Sequence, residues 1–193
     1  MSPALKTLFL LTTAAATVAL APQASVDEAT NIQIKVRQLT LLEQINPVLL
    51  TKPQLRRLLP VVESARQAER DLVANELKAM RPLSARLDVE IKKAKEEKKL
   101  ADPDIWKTIN DLQRQFNLNR ARMINEQTEK VLTEMRRVLN EGQLKAAANA
   151  IDVRSLLPGV PADQITEEAK LRAWIRIVLL DPQAYDLMLE MSK

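Results

Sequence analysis

The chain has 193 residues, with 29 basic and 25 acidic side chains for a net charge of +4, and it contains neither His nor Cys. Their absence removes the usual neutral-pH acid and base, the strongest side-chain nucleophile and the common ligands of Zn, Cu, Ni and haem, and it excludes disulfides and lipoprotein anchoring. With only 2 Gly there is no phosphate-cradling loop; with 3% aromatics and no strand-like alternation, the composition is that of an all-α chain.

Residues 1–24 read as an export signal. Lys6 supplies the positive start, Thr7–Leu20 is an apolar run too short for a spanning helix, and cleavage is expected near Ala24. No stable membrane insertion is expected once the signal is gone, and the mature chain is then periplasmic or otherwise exported. Next comes a stripe of Ile32, Val36, Leu39, Leu42 and Ile45 that ends before Pro47, a short helix expected to lie across the base of the longer elements after it.

Leu50-Thr51-Lys52-Pro53-Gln54 then starts a long helical arm. Thr51 can cap the first turn, Gln54 can reach back to the cap's own amide, and Pro53 sits where its missing N–H costs little. The arm should run to about Leu100. Leu55, Leu58, Leu59, Val62, Ala65 and Leu72 mark its inner face, continued by Leu77, Met80, Leu87, Ile91 and Ala94. Pro60 and Pro82 lie inside it and are expected to bend or break it. Asp102-Pro103 is a cap followed by a first-turn proline, so the chain turns there into a second arm. Its stripe is Ile105, Ile109, Leu112, Phe116, Met123, Val131, Met135 and Val138.

If the arms are antiparallel about that turn, facing residues have numbers adding to roughly 202. Ile91 then meets Leu112, Leu87 meets Phe116, Met80 meets Met123 and Leu72 meets Val131, while Pro60 falls opposite Asn140 and Pro82 opposite Asn117–Arg120. Glu69 and Glu76 fall near Lys130 and Arg122, which reads as an ionic seam. The expected architecture is a long bent antiparallel helical hairpin with short flanking helices.

Leu139-Asn140-Glu141-Gly142-Gln143 repeats the motif with Asn as the cap and opens a helix over Glu141–Ile151. Leu156–Pro161 reads as a linker. Thr166 then caps a helix carrying Leu171, Trp174, Ile175, Val178 and Leu179, and Asp181-Pro182 starts a last one with Tyr185, Leu187, Met188, Leu189 and Met191. Both this segment and the first helix are apolar enough to need a partner surface, either the hairpin base or a second subunit. The division is a signal over 1–24, a hairpin domain over 25–151, and a linker and helical extension over 152–193.

Through its two copies of a leucine, a cap and a glutamine flanking a charged hairpin, the chain resembles the small periplasmic proteins of the Spy/CpxP type, which carry paired LTxxQ motifs. The first copy fits in full and the second has Asn140 in place of Thr. The resemblance covers roughly residues 30–151. It implies structural roles for Leu50, Thr51, Gln54, Leu139, Asn140 and Gln143. It also implies a homodimeric, ATP-independent chaperone or envelope-stress protein that binds unfolded or partner proteins on a basic, partly apolar face.

The residues themselves agree with such a surface. Positions 52–100 hold 13 basic and 8 acidic groups. On a helical wheel Arg66 and Arg70 flank the apolar stripe of the first arm, Arg56 lies farther round and Arg57 points away. Arg56, Arg66, Arg70, Met80 and Met123 are the candidate client-binding residues, the methionines for their adaptable side chains. No catalytic, cofactor or metal residues are assigned and no enzyme is expected. The alternative is a regulator or sensor docking on an envelope signalling partner. Nucleic acid is not expected as a partner, since export and the scarcity of aromatics among the basic groups argue against it.

Overall fold

The computed structural model describes residues 23–152, 161 and 164–193. Residues 1–22 of the expected signal, and the expected linker apart from Pro161, lie outside the described residues. The described chain is all-α. In order come α1 (Gln23–Ile45), a short 3-10 turn (Asn46–Val48), α2 (Lys52–Glu97), α3 (Pro103–Val138), α4 (Glu141–Asn149), α5 (Glu167–Trp174), a π-helical stretch (Ile175–Leu179) and α6 (Ala184–Met191). Chain packing separates Met1–Val36 from Arg37–Lys193. In the first unit Ile32 and Val36 are exposed, against the stripe expected there. Beyond it Leu39 is exposed as well, and the buried residues are Leu41 and Ile45, one turn apart, followed by Val48. The apolar residues of α1 are spread over more than one side; Leu42 and Ile45 of the expected stripe do reach the core, Leu42 partly buried beside Leu41.

In Arg37–Lys193, α2 and α3 form the antiparallel hairpin. α2 is a single helix through both prolines. Pro60 and Pro82 are exposed, so the carbonyls that each leaves without an amide donor can turn to water, and the helix is not broken. The arms meet in a register different from the one expected. Glu76 bonds Arg120, not Arg122. Leu87 shares a groove with Ile109 and Leu112, and Met80 shares it with Phe116. Pro60 lies beside Glu134 and Arg137 instead of Asn140. The shift is about two turns, and because seven residues bring a helix back nearly to the same face, either register sets apolar against apolar.

A single core lies at the base of the hairpin. It takes Leu41 and Ile45 from α1, Leu55, Leu58 and Val62 from α2, Val131, Leu132 and Met135 from α3, and Ala147 and Ala148 from α4. The segment after residue 152 belongs to the same core: Leu171, Trp174, Ile175, Val178, Leu179, Leu187 and Met188 are all buried in it. The Trp174 indole N–H donates to the Gln44 carbonyl at 3.2 Å. The α5–α6 segment therefore folds back on the hairpin base instead of extending from it. Arg37 fastens it: Nε and Nη2 donate to Asp181 Oδ2 at 2.9 and 2.7 Å, and Nη2 also donates to the Ile177 carbonyl, which lies within the π-helical stretch, at 3.0 Å. A π-helix shifts its hydrogen bonds by one residue, and a side-chain donor steadies the irregular turn.

Away from this core, among the described residues of Arg37–Lys193, the two arms pack on each other. Leu83 and Ile105 are the apolar residues buried there, while Val73, Leu77, Met80, Val89, Ile91, Trp106 and Leu118 are each at least half exposed. Two helices side by side cannot cover apolar stripes this wide. At the tip Lys98 has the left-handed conformation that ends α2, and Asp102 caps α3 by accepting from the Asp104 amide at 2.9 Å.

Candidate functional site

Both motifs form capping boxes. Gln54 N donates to Thr51 Oγ1 at 3.4 Å and Gln143 N to Asn140 Oδ1 at 2.9 Å, while the Thr51 and Asn140 amides donate back to the glutamine oxygens. The hairpin brings the two boxes together. Gln54 Nε2 donates to Gln143 Oε1 at 2.9 Å, and Gln143 Nε2 to Gln54 Oε1 at 3.1 Å. The second proton of each amide goes to a carbonyl of the other motif's approach, Val138 for Gln54 and Leu49 for Gln143, both at 3.1 Å. Leu49 has φ 52, the left-handed turn that precedes the first box. Each glutamine thus fulfils its two donors and two acceptors within one pseudo-symmetric clasp. The six motif residues close the base of the hairpin, and the geometry gives them no chemistry to perform.

The candidate arginines mostly serve the chain itself. Arg56 donates through Nε and Nη2 to the Ser192 carbonyl at 3.1 and 3.0 Å. Arg66 stacks on the Tyr185 ring at 4.5 Å, and its guanidinium is 3.3 Å from Glu63 and 3.8 Å from Asp186. Arg70 bonds Glu63 at 2.6 Å, and this hydrogen bond, ahead of the nearby charges, holds the Glu63 carboxyl below its usual value. Met123 is half-buried beside Leu180. The face of α2 expected to be open is therefore largely occupied by α6, an arrangement that the wheel of α2 alone could not reveal.

Met80 is different, because it stands in an open groove along the outer half of the hairpin. The groove holds about 760 Å³ and is lined by Leu77, Met80, Leu83 and Leu87 of α2 and Ile109, Leu112 and Phe116 of α3, with Arg81, Ser84, Gln113, Asn117 and Arg120 as its polar edge. At its inner end Glu76, 6% exposed, takes a two-pronged ion pair from Arg120, with Nε to Oε1 at 2.8 Å. That hydrogen bond raises the Arg120 guanidinium above its usual value, and the bridge both ties the arms together and supplies the partner a buried carboxylate requires. A mainly apolar trough with a few polar groups is what a binding site needs, and nothing along it is arranged to move a proton or attack a bond. The sequence named Met80 here but not the groove. The signal for it was present: both apolar stripes run on from the base along the outer half of the arms.

Comparison with protein-family models, with curated proteins and with solved structures finds no match for this chain.

Proposed function

We propose that the chain is an exported, ATP-independent chaperone or envelope-stress protein of the Spy/CpxP kind, binding unfolded or partner proteins in the groove between α2 and α3. The observation that carries this reading is the groove itself. An apolar trough of about 760 Å³, with Leu77 and Met80 half exposed, is held open on a hairpin whose other end is locked by the glutamine clasp and the core. An exposed apolar patch on an otherwise well-packed unit marks an interaction surface. Methionine and leucine there can repack against varied partners, and the surrounding positive charge speeds encounter.

The paired motifs, the expected signal and the basic hairpin support placement in the cell envelope. No described helix is long and apolar enough to cross a membrane. A homodimer joined through exposed apolar residues of the arms outside the groove, such as Val89, Trp106 and Leu118, belongs to the same proposal. The test is suppression of aggregation of a chemically unfolded client by the purified chain, compared with Met80→Glu. Suppression that the substitution abolishes supports the reading. An inactive parent chain, or a variant as active as the parent, refutes it.

A further inference from the structure

The groove continues a surface that the chain already fills with helix. On α2 the groove residues Leu77, Met80, Ser84 and Leu87 are spaced by three and four, and the same ladder runs back through Val73, Glu69 and Arg66 to Val62. On α3 the ladder from Phe116 and Arg120 continues through Met123 and Gln127 to Val131. The inner part of both ladders is covered by the α5–α6 segment: Tyr185 lies on Arg66, and Leu180 sits in a small pocket with Ala65, Glu69, Met123 and Gln127. The covering layer turns back at Leu180–Asp181, and outward of that turn the groove on the same face is lined by α2 and α3 residues. Among the described residues of Arg37–Lys193, the hairpin is thus a two-helix layer whose inner half carries a third helical element.

The chain's own cover meets the hairpin with charges of both signs: Asp186 of α6 approaches Arg66 at 3.8 Å and Glu168 of α5 approaches Arg136 at 2.8 Å, while Arg172 of α5 pairs with Glu129 of α3. The groove itself sets the preference. The charged residues lining the groove are Arg81 and Arg120, and no carboxylate is among its lining residues. Residues 77–120 hold 11 basic and 7 acidic side chains.

We propose that the groove takes an acidic amphipathic α-helix of the bound protein, laid along the arms as a continuation of the layer formed by α5 and α6. This rests on the groove being the binding site and names what it selects. The stretch from Leu77 to Leu87 is about 15 Å long, room for about three helical turns. Apolar residues at i, i+3, i+4 and i+7 fill the trough, and carboxylates on the flanks meet Arg81 and the outer edge of Arg120. A helix this short is marginal in water, so it forms as it docks.

The test uses the full chain and three labelled peptides of about 15 residues. One has the helical apolar spacing with Glu flanks, one has the same composition reordered to alternate, and one has Lys in place of Glu. Binding is read by fluorescence anisotropy and peptide helicity by circular dichroism. The Glu peptide should bind and gain helicity, and affinity should fall roughly tenfold for the Lys peptide or with Arg81→Glu, and further with Met80→Glu. Equal binding of the alternating or Lys peptide, or a bound peptide that stays non-helical, overturns the inference. So does a groove closed by a second copy of the chain, seen as a dimer in sedimentation that excludes the peptide. Client aggregation measured in parallel separates the two levels. Suppression that depends on Met80 without Glu-peptide binding refutes the helix alone, whereas a chain without suppression refutes the binding site and this inference with it.

Discussion

The glutamine clasp predicts a coupling between residues 89 positions apart. Truncating Gln54 to Ala removes its return bonds to the Thr51 amide and hydroxyl, both bonds with Gln143, and the bond to the Val138 carbonyl. Gln143→Ala removes the equivalent set apart from the hydroxyl bond, for which Asn140 has no counterpart. A net hydrogen bond is worth about 0.5–1.5 kcal/mol, and both side chains are only half-buried, so water recovers part of each loss. We expect each single variant to lose about 1.5–3 kcal/mol. The two bonds between the glutamines are broken by either change, so they are counted twice when the single losses are added. The double variant should therefore lose about 1–2 kcal/mol less than the sum. Urea denaturation of the full chain, followed by helicity for all four proteins, closes the cycle. Additivity to within about 0.5 kcal/mol would mean that the boxes act separately and that the amide pairing contributes nothing.

Three further outcomes concern other parts of the fold. Trp174→Ala should cost about 3–5 kcal/mol, because the fully buried indole is packed between the hairpin base and α1; a loss under about 1 kcal/mol, by denaturant titration, would contradict the fold-back of α5. Arg37→Ala should lower stability by about 1–2 kcal/mol, since it strips the mostly buried Asp181 carboxylate and the Ile177 carbonyl of their donor; unchanged melting would refute the clamp. At the tip, the Lys93 ammonium first, and then the Asp102 amide, hold Glu90 below its ordinary value of 4.5. Its contribution is complete above 4.5 and is lost as pH falls through the lower folded value, so the protection of the Asp102 amide, measured against the intrinsic exchange rate at each pH, should fall through that range, and an amide whose protection did not change would refute the contact.

The parts legible in the sequence are those decided locally. Thr51 with Gln54, Asn140 with Gln143, and Asp102 before Pro103 are short-range patterns whose hydrogen bonds need only the right neighbours, and all three caps formed where expected. The pairing of the two glutamines was not legible, because nothing in either motif refers to the other. The register of the arms failed for a different reason. A slide of seven residues leaves Leu, Met and Phe facing Leu, Met and Ile, so apolar matching could not choose, and the choice fell to contacts such as Glu76 with Arg120. On the wheel of α2 alone Arg56 and Arg66 are open. Their partners, Ser192 and Tyr185, arrive from the far end of the chain. The π-helical stretch had no signal, since Ile175–Leu179 reads as ordinary amphipathic helix and the extra residue is imposed by packing.

Site-specific photocrosslinking tests the central claim most directly. A photoreactive residue placed at Met80, in the groove, is compared with one at Lys145, which is exposed on α4, in the presence of a chemically unfolded client. The account predicts abundant crosslinks from position 80 and few from position 145, with the yield at 80 falling as the client refolds. Equal yields at the two positions, or client crosslinks at 145 alone, would contradict binding in the groove.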